Sequence, residues 1–232
     1  MRIDVLADAD AVARRAAKII AAEARVAVAA RNRFIVAVSG GRTPWLMLRA
    51  LADENVPWEK THVVQVDERV APAGHSDRNL THLQESLLTR VPLHAERIHA
   101  MTVEAPDLEA AAKTYAQTLA RIADLPPVLD LVHLGLGPDG HTASLVPSDP
   151  VLDVANIDVA LTGVYQARRR MTLTYPILNR SRHILWVVTG NDKAGPLVRL
   201  RDADPSIPAG RVHQERALVL ADHAAASELG TA

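Results

Sequence analysis

Short apolar runs alternate with amphipathic stretches along almost the whole chain. Residues 2–6 read as a short strand. Phe34-Ile35-Val36-Ala37-Val38 is unbroken and apolar, the pattern of a strand covered on both faces. Runs at 62–66, 131–136, 171–174, 184–189 and 217–220 repeat it. Between them, apolar positions recur at helical spacing. Val12, Ala16, Ile19 and Ile20 mark a long helix over 9–30, and a shorter one covers 45–52. Leu80, Leu83, Leu87 and Leu88 stripe a helix over 79–88. Leu108, Ala111, Ala112, Tyr115 and Leu119 stripe another over 104–123, which Pro126-Pro127 stops. A turn or helix over 176–181, a helix running from 190–193 to near Leu200 and a final helix over 221–229 complete the set. Residues 71–77, 147–164 and 205–210 read as loops. This alternation predicts an α/β fold: a mostly parallel sheet with helices on both faces, some elements after Pro147 running antiparallel. No break in composition divides residues 1–232, so one domain is expected.

The candidate chemistry sits where strands end. The run ending at Leu136 passes into Gly135-Leu136-Gly137-Pro138-Asp139-Gly140 and delivers His141 to what reads as the start of a short helix. In an open α/β sheet, that junction is where ligands bind. Taken alone, an Asp-Gly turn beside a histidine is an ordinary turn. A second glycine turn, Ser39-Gly40-Gly41-Arg42-Thr43-Pro44, changes the weighing. With Thr43 as N-cap and Pro44 at the first helical position, it offers bare N–H groups, two hydroxyls and a helix N-terminus to a phosphate. It lacks the Gly-Lys-Ser/Thr of a Walker loop and the third glycine of a dinucleotide fingerprint. Asp67-Glu68-Arg69 ends the 62–66 strand. Asp67 is placed to point into the crevice, while Glu68 and Arg69 taken alone read better as a surface salt-bridge cluster. Arg78 reads as an anion ligand or a solvated residue, the run Arg168-Arg169-Arg170 as mostly solvated, and Lys193 as placed to meet an anion.

Composition narrows the partners. A net charge of −1 and 3% aromatic residues give no footing for nucleic acid. Apolar residues make up 48% of 232, enough for a sizeable core. There is no cysteine, hence no disulfide, thiolate metal site or Cys nucleophile. No apolar run spans a bilayer, and Asp4, Asp8 and Asp10 interrupt any leader-like core, so a cytoplasmic protein without membrane attachment is expected. The ten histidines form no recognisable ligand set, so neither metal nor cofactor is expected, nor an obligatory protein partner.

Five blocks in order, SGGRTP (39–44), VDERV (66–70), GLGPDGHTASLVP (135–147), RMTLTYPILN (170–179) and TGNDKAGPL (189–197), resemble the 6-phosphogluconolactonase family. The resemblance implies a modified Rossmann-like sheet shared with glucosamine-6-phosphate isomerases. It also implies hydrolysis of 6-phospho-D-glucono-1,5-lactone in the oxidative pentose phosphate pathway. His141 would activate water, with Asp67 or Asp139 fixing its tautomer and a helix N-terminus favouring its neutral form. Ser39, Gly40, Gly41, Thr43, Arg69, Arg78, Gly137, Gly140, Arg170 and Lys193 would bind the sugar phosphate. Two departures stand out. Gln166-Ala167-Arg168-Arg169 replaces the family's Lys-Pro-Pro stretch, leaving open which arginine of the triplet meets phosphate, and Asp77-Arg78-Asn79 replaces Asp-Ser-Asn. An amino-sugar-phosphate isomerase/deaminase is the competing enzyme, but Ser144-Leu145-Val146-Pro147 lacks the glutamate those enzymes carry there. A sugar-phosphate sensor is the non-enzymatic alternative. The helix over 9–30 runs straight into the first core strand and leaves no room for a helix-turn-helix segment.

Overall fold

In the computed structural model, which describes residues 1–230, seven parallel strands form one sheet. They are β1 (Arg2–Leu6), β2 (Phe34–Val38), β3 (Thr61–Gln65), β5 (Ile98–His99), β6 (Leu131–Leu134), β9 (His183–Val188) and β10 (Ala217–Asp222). Their spatial order is β1-β10-β9-β6-β2-β3-β5. From β2 the chain moves outward through β3 to β5. From β6 it moves the opposite way, through β9 to β10. The crevice at the carboxyl ends of β2 and β6 is therefore where the strand order reverses, the place an open sheet reserves for its ligand. The edge strand β1 closes on β10, Arg2 opposite Leu218 and Leu6 opposite Asp222.

All five side chains of β2 are buried, because both faces of the sheet are covered. On one face α1 (Ala9–Arg31), α2 (Arg42–Ala52) and α3 (Asn79–Leu83) pack against Phe34, Val36 and Val38. On the other, α4 (Leu108–Ala123), α5 (Tyr175–Arg180) and α6 (Ala194–Arg201) share a core with Ile35, Ala37 and Trp186. A small antiparallel sheet lies on that second side: β4 (Asp67–Arg69), β8 (Arg170–Leu173) and β7 (Val159–Leu161), with β8 in the middle. No helix of the described residues is long and apolar enough to cross a membrane.

Several sequence expectations need correction. Asp67–Arg69 is a strand of its own, paired with Arg170–Thr172 in a second sheet, rather than the end of the 62–66 strand. Part of the expected loop at 147–164 is β7. The α2 helix begins one residue before Thr43, with Gly41 as its N-cap, so the Thr43 hydroxyl is free to bond Thr189 Oγ1 across to the end of β9 (2.5 Å). The α4 helix starts at Leu108, where the Asp107 carboxylate accepts from the Ala110 N–H (2.9 Å). The expected helix over 221–229 is a series of turns. The β10 strand runs on to Asp222, whose carboxylate accepts from the N–H groups of Ala225 (2.7 Å) and Gly190 (3.1 Å).

Candidate active site

Two strand ends build the floor. Ser39 follows β2, and its N–H donates to His133 Nδ1 on the adjacent β6 (3.2 Å), while its hydroxyl donates to the His133 carbonyl (3.0 Å). His133 is fully buried, and burial pushes its imidazole down to about 3, so it is neutral and an acceptor. It thereby fixes where the first glycine turn starts. Gly40 can hold the course it does because it has no side chain: a Cβ there would lie 1.9 Å from Asn79 Oδ1. Asn79 in turn bonds the Asp67 carbonyl (2.9 Å) and receives Arg69 Nη1 (3.1 Å), which ties the first turn to β4.

Beyond β6 the chain does not enter a helix at His141. It forms a compact turn in which Gly137 N–H donates to the His141 carbonyl (2.8 Å), and Thr142 and Leu145 pair as an isolated bridge. No helix begins at His141. A carboxylate meets the imidazole: Asp139 Oδ1 lies 2.6 Å from His141 Nδ1 and also accepts from the His141 backbone N–H (3.2 Å). Asp139 Oδ2 accepts from the Tyr165 hydroxyl (2.9 Å). Burial opposes ionisation of Asp139, but the imidazole contact and these donors together hold its carboxyl below the usual range. With Nδ1–H given to the carboxylate, Nε2 is the nitrogen left as acceptor towards the cleft that His141 lines. Gly137 is needed here because a Cβ would come within 2.1 Å of His141 Nδ1.

The cleft has a volume of about 490 Å³. Of the residues expected to bind the sugar phosphate, Ser39, Gly40, Gly41, Thr43, Arg69, Gly137, Arg170 and Lys193 line it, as do Asp67 and His141. Lys193 stands beside Asp192 (2.8 Å). Among the three consecutive arginines, Arg170 is the one in the cleft; Arg168 instead pairs with Asp77 (3.0 Å). Burial lowers the Arg170 guanidinium from its ordinary value, with Asp67 acting the other way. Asp67 does not touch His141. Its carboxylate accepts from Ser144 Oγ (2.6 Å) and Asn79 Nδ2 (3.3 Å), so the carboxylate in contact with the imidazole is Asp139.

Two expected ligands lie elsewhere. Arg78 is buried behind the cleft, ion-paired with Glu68 (3.1 Å) and Glu104 and donating to the Ala71 carbonyl (2.8 Å). Its charge is spent inside the protein. Gly140 turns with a φ of +82° under Ile207, and its role is backbone shape. Sequence reasoning also passed over residues that the structure places in or beside the site: Arg42 and Asn79 on the cleft wall, and Tyr165 and Ser144 on the two carboxylates. Arg42 and Ser144 lay inside matched blocks, and Asn79 in the Asp77-Arg78-Asn79 stretch compared with the family. Tyr165 lay just before the stretch that departs from the family pattern, outside every matched block.

Comparison with known proteins adds independent findings. A sequence profile described as "Glucosamine-6-phosphate isomerases/6-phosphogluconolactonase" matches residues 7–220. The chain is 36% identical over 210 residues to a Synechocystis protein named 6-phosphogluconolactonase, covering 88% of this chain and 87% of that one. Its fold matches the crystal structure of 6-phosphogluconolactonase from Thermotoga maritima with a TM-score of 0.85 at 26% identity, over 95% of this chain and 98% of the other. A monomeric glucosamine-6-phosphate deaminase superposes as well, with a TM-score of 0.86 at 19% identity, over 98% of this chain and 100% of that one. The fold therefore does not by itself separate the two activities.

Proposed function

The chain belongs to the family of glucosamine-6-phosphate isomerases and 6-phosphogluconolactonases, and on that premise we propose that it hydrolyses 6-phospho-D-glucono-1,5-lactone to 6-phospho-D-gluconate in the oxidative pentose phosphate pathway. The observation that carries this reading is the Asp139–His141 pair, with one imidazole nitrogen held and the other presented to a cleft bordered by a glycine turn and several cations.

The steps follow from the geometry. The Ser39–Thr43 turn, Arg170 and Lys193 hold the phosphate, and that remote binding energy places the lactone ring. His141 Nε2 takes a proton from water as the oxygen attacks the lactone carbonyl carbon. Asp139 stabilises the imidazolium that forms. When the ring C–O bond breaks, the imidazolium returns the proton to the departing ring oxygen, leaving a carboxylic acid that ionises in water. General-base action of this kind contributes roughly 10²–10⁴-fold. The deaminase reading needs a further carboxylate after the histidine block, and residues 144–147 supply none. We assign the whole chain, as one domain in the cytoplasm, to this small-molecule reaction, with no metal and no protein partner in the scheme.

The test is a lactonase assay on freshly generated 6-phosphogluconolactone, corrected for spontaneous hydrolysis, beside ammonia release from glucosamine 6-phosphate. Catalysed opening of the lactone without ammonia is expected. Lactone loss at the spontaneous rate, or ammonia release, would overturn the assignment. The unphosphorylated lactone should be a poor substrate, and a comparable kcat/KM for both lactones would remove the phosphate pocket.

A further inference from the structure

Tyr165 stands at the turn that joins β7 to β8. Tyr165 and Arg168 pair through both backbone hydrogen bonds (2.9 and 3.2 Å), and Gln166 and Ala167 between them have φ of 49° and 62°. Two successive left-handed residues make the tight hairpin loop whose twist matches its strands. That loop aims Tyr165 at both halves of the site. Its hydroxyl donates to Asp139 Oδ2 (2.9 Å), the oxygen not engaged by His141. Its ring meets the imidazole edge-on at 5.6 Å between centroids. The Arg170 guanidinium lies over the same ring, 4.9 Å from its centroid, and the neighbouring Gln166 accepts from Arg170 Nη2 (3.2 Å).

We propose that Tyr165 is a positioning residue for the lactonase reaction: through Asp139 it orients the general base, and through its ring it sets Arg170, so one rigid side chain fixes the span between the reacting carbonyl and the phosphate. This rests on the lactonase reading given above. Asp139 sits on a turn between Gly137 and Gly140, whose backbone holds its carboxylate at Oδ1 alone, through the His141 N–H (3.2 Å). Without the phenol, one carboxylate oxygen is left to solvent and the carboxylate can swing, carrying the imidazole with it. Small misplacements of a reacting group are costly in rate. A phenol ring has few torsions to freeze, and its face attracts a guanidinium.

Tyr165→Phe separates the two contacts, because it removes the hydroxyl and keeps the ring. For the phosphorylated lactone, kcat should fall about fivefold to tenfold with KM unchanged. The acid limb of kcat should move to higher pH, since a carboxylate relieved of its second donor holds the imidazolium proton harder. Tyr165→Leu should add a rise in KM as Arg170 loses its support. In an Asp139→Asn background, Tyr165→Phe should cost nothing further. Wild-type kcat and pH profile in Tyr165→Phe, or full additivity with Asp139→Asn, would overturn the proposal while leaving the lactonase reading intact. A wild-type protein that opens the lactone no faster than water does would remove both.

Discussion

Two acid–base pairs follow two strand ends in this molecule, and the fold treats them in opposite ways. Glu68 and Arg78 are both buried. The Glu68 carboxylate takes the N–H groups of Arg69 (2.7 Å), Asn79 (2.8 Å) and Leu80 (2.8 Å), the Gln65 amide (3.0 Å) and the Arg78 ion pair (3.1 Å). Every lone pair is committed, and burial of the Arg78 guanidinium is outweighed by its two glutamates, which raise it above its ordinary value. Asp139 and His141 are partly exposed, with side chains 34% and 21% accessible, and one imidazole nitrogen has no protein partner among the described residues. A buried pair whose carboxylate has no acceptor left to offer shapes the wall of a site. A pair with one valence left open at a cleft can exchange a proton.

Exchanging the members of each pair should expose that division. His141→Ala should lose roughly 10²–10⁴ in kcat on the phosphorylated lactone while the thermal midpoint stays near that of the wild type. Activity surviving within a fewfold would remove His141 as the base. Glu68→Gln should do the reverse. It leaves Arg78 underpaired and turns an amide N–H towards backbone donors, costing about 3–5 kcal/mol in denaturant unfolding, while the folded fraction keeps most of its activity. Lost turnover in a stably folded Glu68→Gln protein would place that pair in the chemistry.

The two aspartates of the site sharpen the contrast. Asp139→Asn should cut kcat by up to roughly 10⁴-fold, since an amide neither fixes the productive tautomer nor stabilises the imidazolium. Asp67→Asn should cost less, because Asp67 meets Ser144 and Asn79 rather than the imidazole. The reverse order in steady-state kinetics would exchange their roles. Lys193→Ala should raise KM about tenfold with kcat little changed, as expected for a contact made equally to substrate and transition state.

The smallest effect concerns His133. Its folded value of about 3 lies below the 6.5 of an unperturbed imidazole. Between those values the unfolded chain holds a proton that the native protein does not. Stability is therefore fully present above about pH 6.5 and declines as pH falls towards 3. From pH 7.5 to 6.0 this group should cost under about 1 kcal/mol. Thermal midpoints of wild type and His133→Asn across that range should show the wild type declining more.

How much of this was legible depended on whether the signal was local. The β2 strand announces itself as five apolar residues that end in a glycine turn, and its place and burial follow directly. The β4 strand is Asp-Glu-Arg, which reads as surface. It is a strand only because Arg170–Thr172 pairs with it from far along the chain. The alanines after β10 have strong helical propensity, yet they form turns, with the Ala225 N–H alone given to the Asp222 carboxylate. At His141 the expected helix gave way to a turn with left-handed Gly140 and Ala143, and the electrostatic support came from Asp139. The matched blocks located the cleft. They could not show that Arg78 faces away from it, because which side of β4 a neighbour occupies is a tertiary fact.

The pairing of β1 with β10 also sets a timetable for biosynthesis. A ribosome adds roughly 5–20 residues per second, so Arg2–Leu6 emerges well before the strand it pairs with among the described residues, Ala217–Asp222. Until then β1 has no strand to join, and the outer edge of the sheet cannot be completed on the nascent chain. The crevice between β2 and β6 needs neither of these strands, so its floor can assemble while the last part of the chain is still in the exit tunnel.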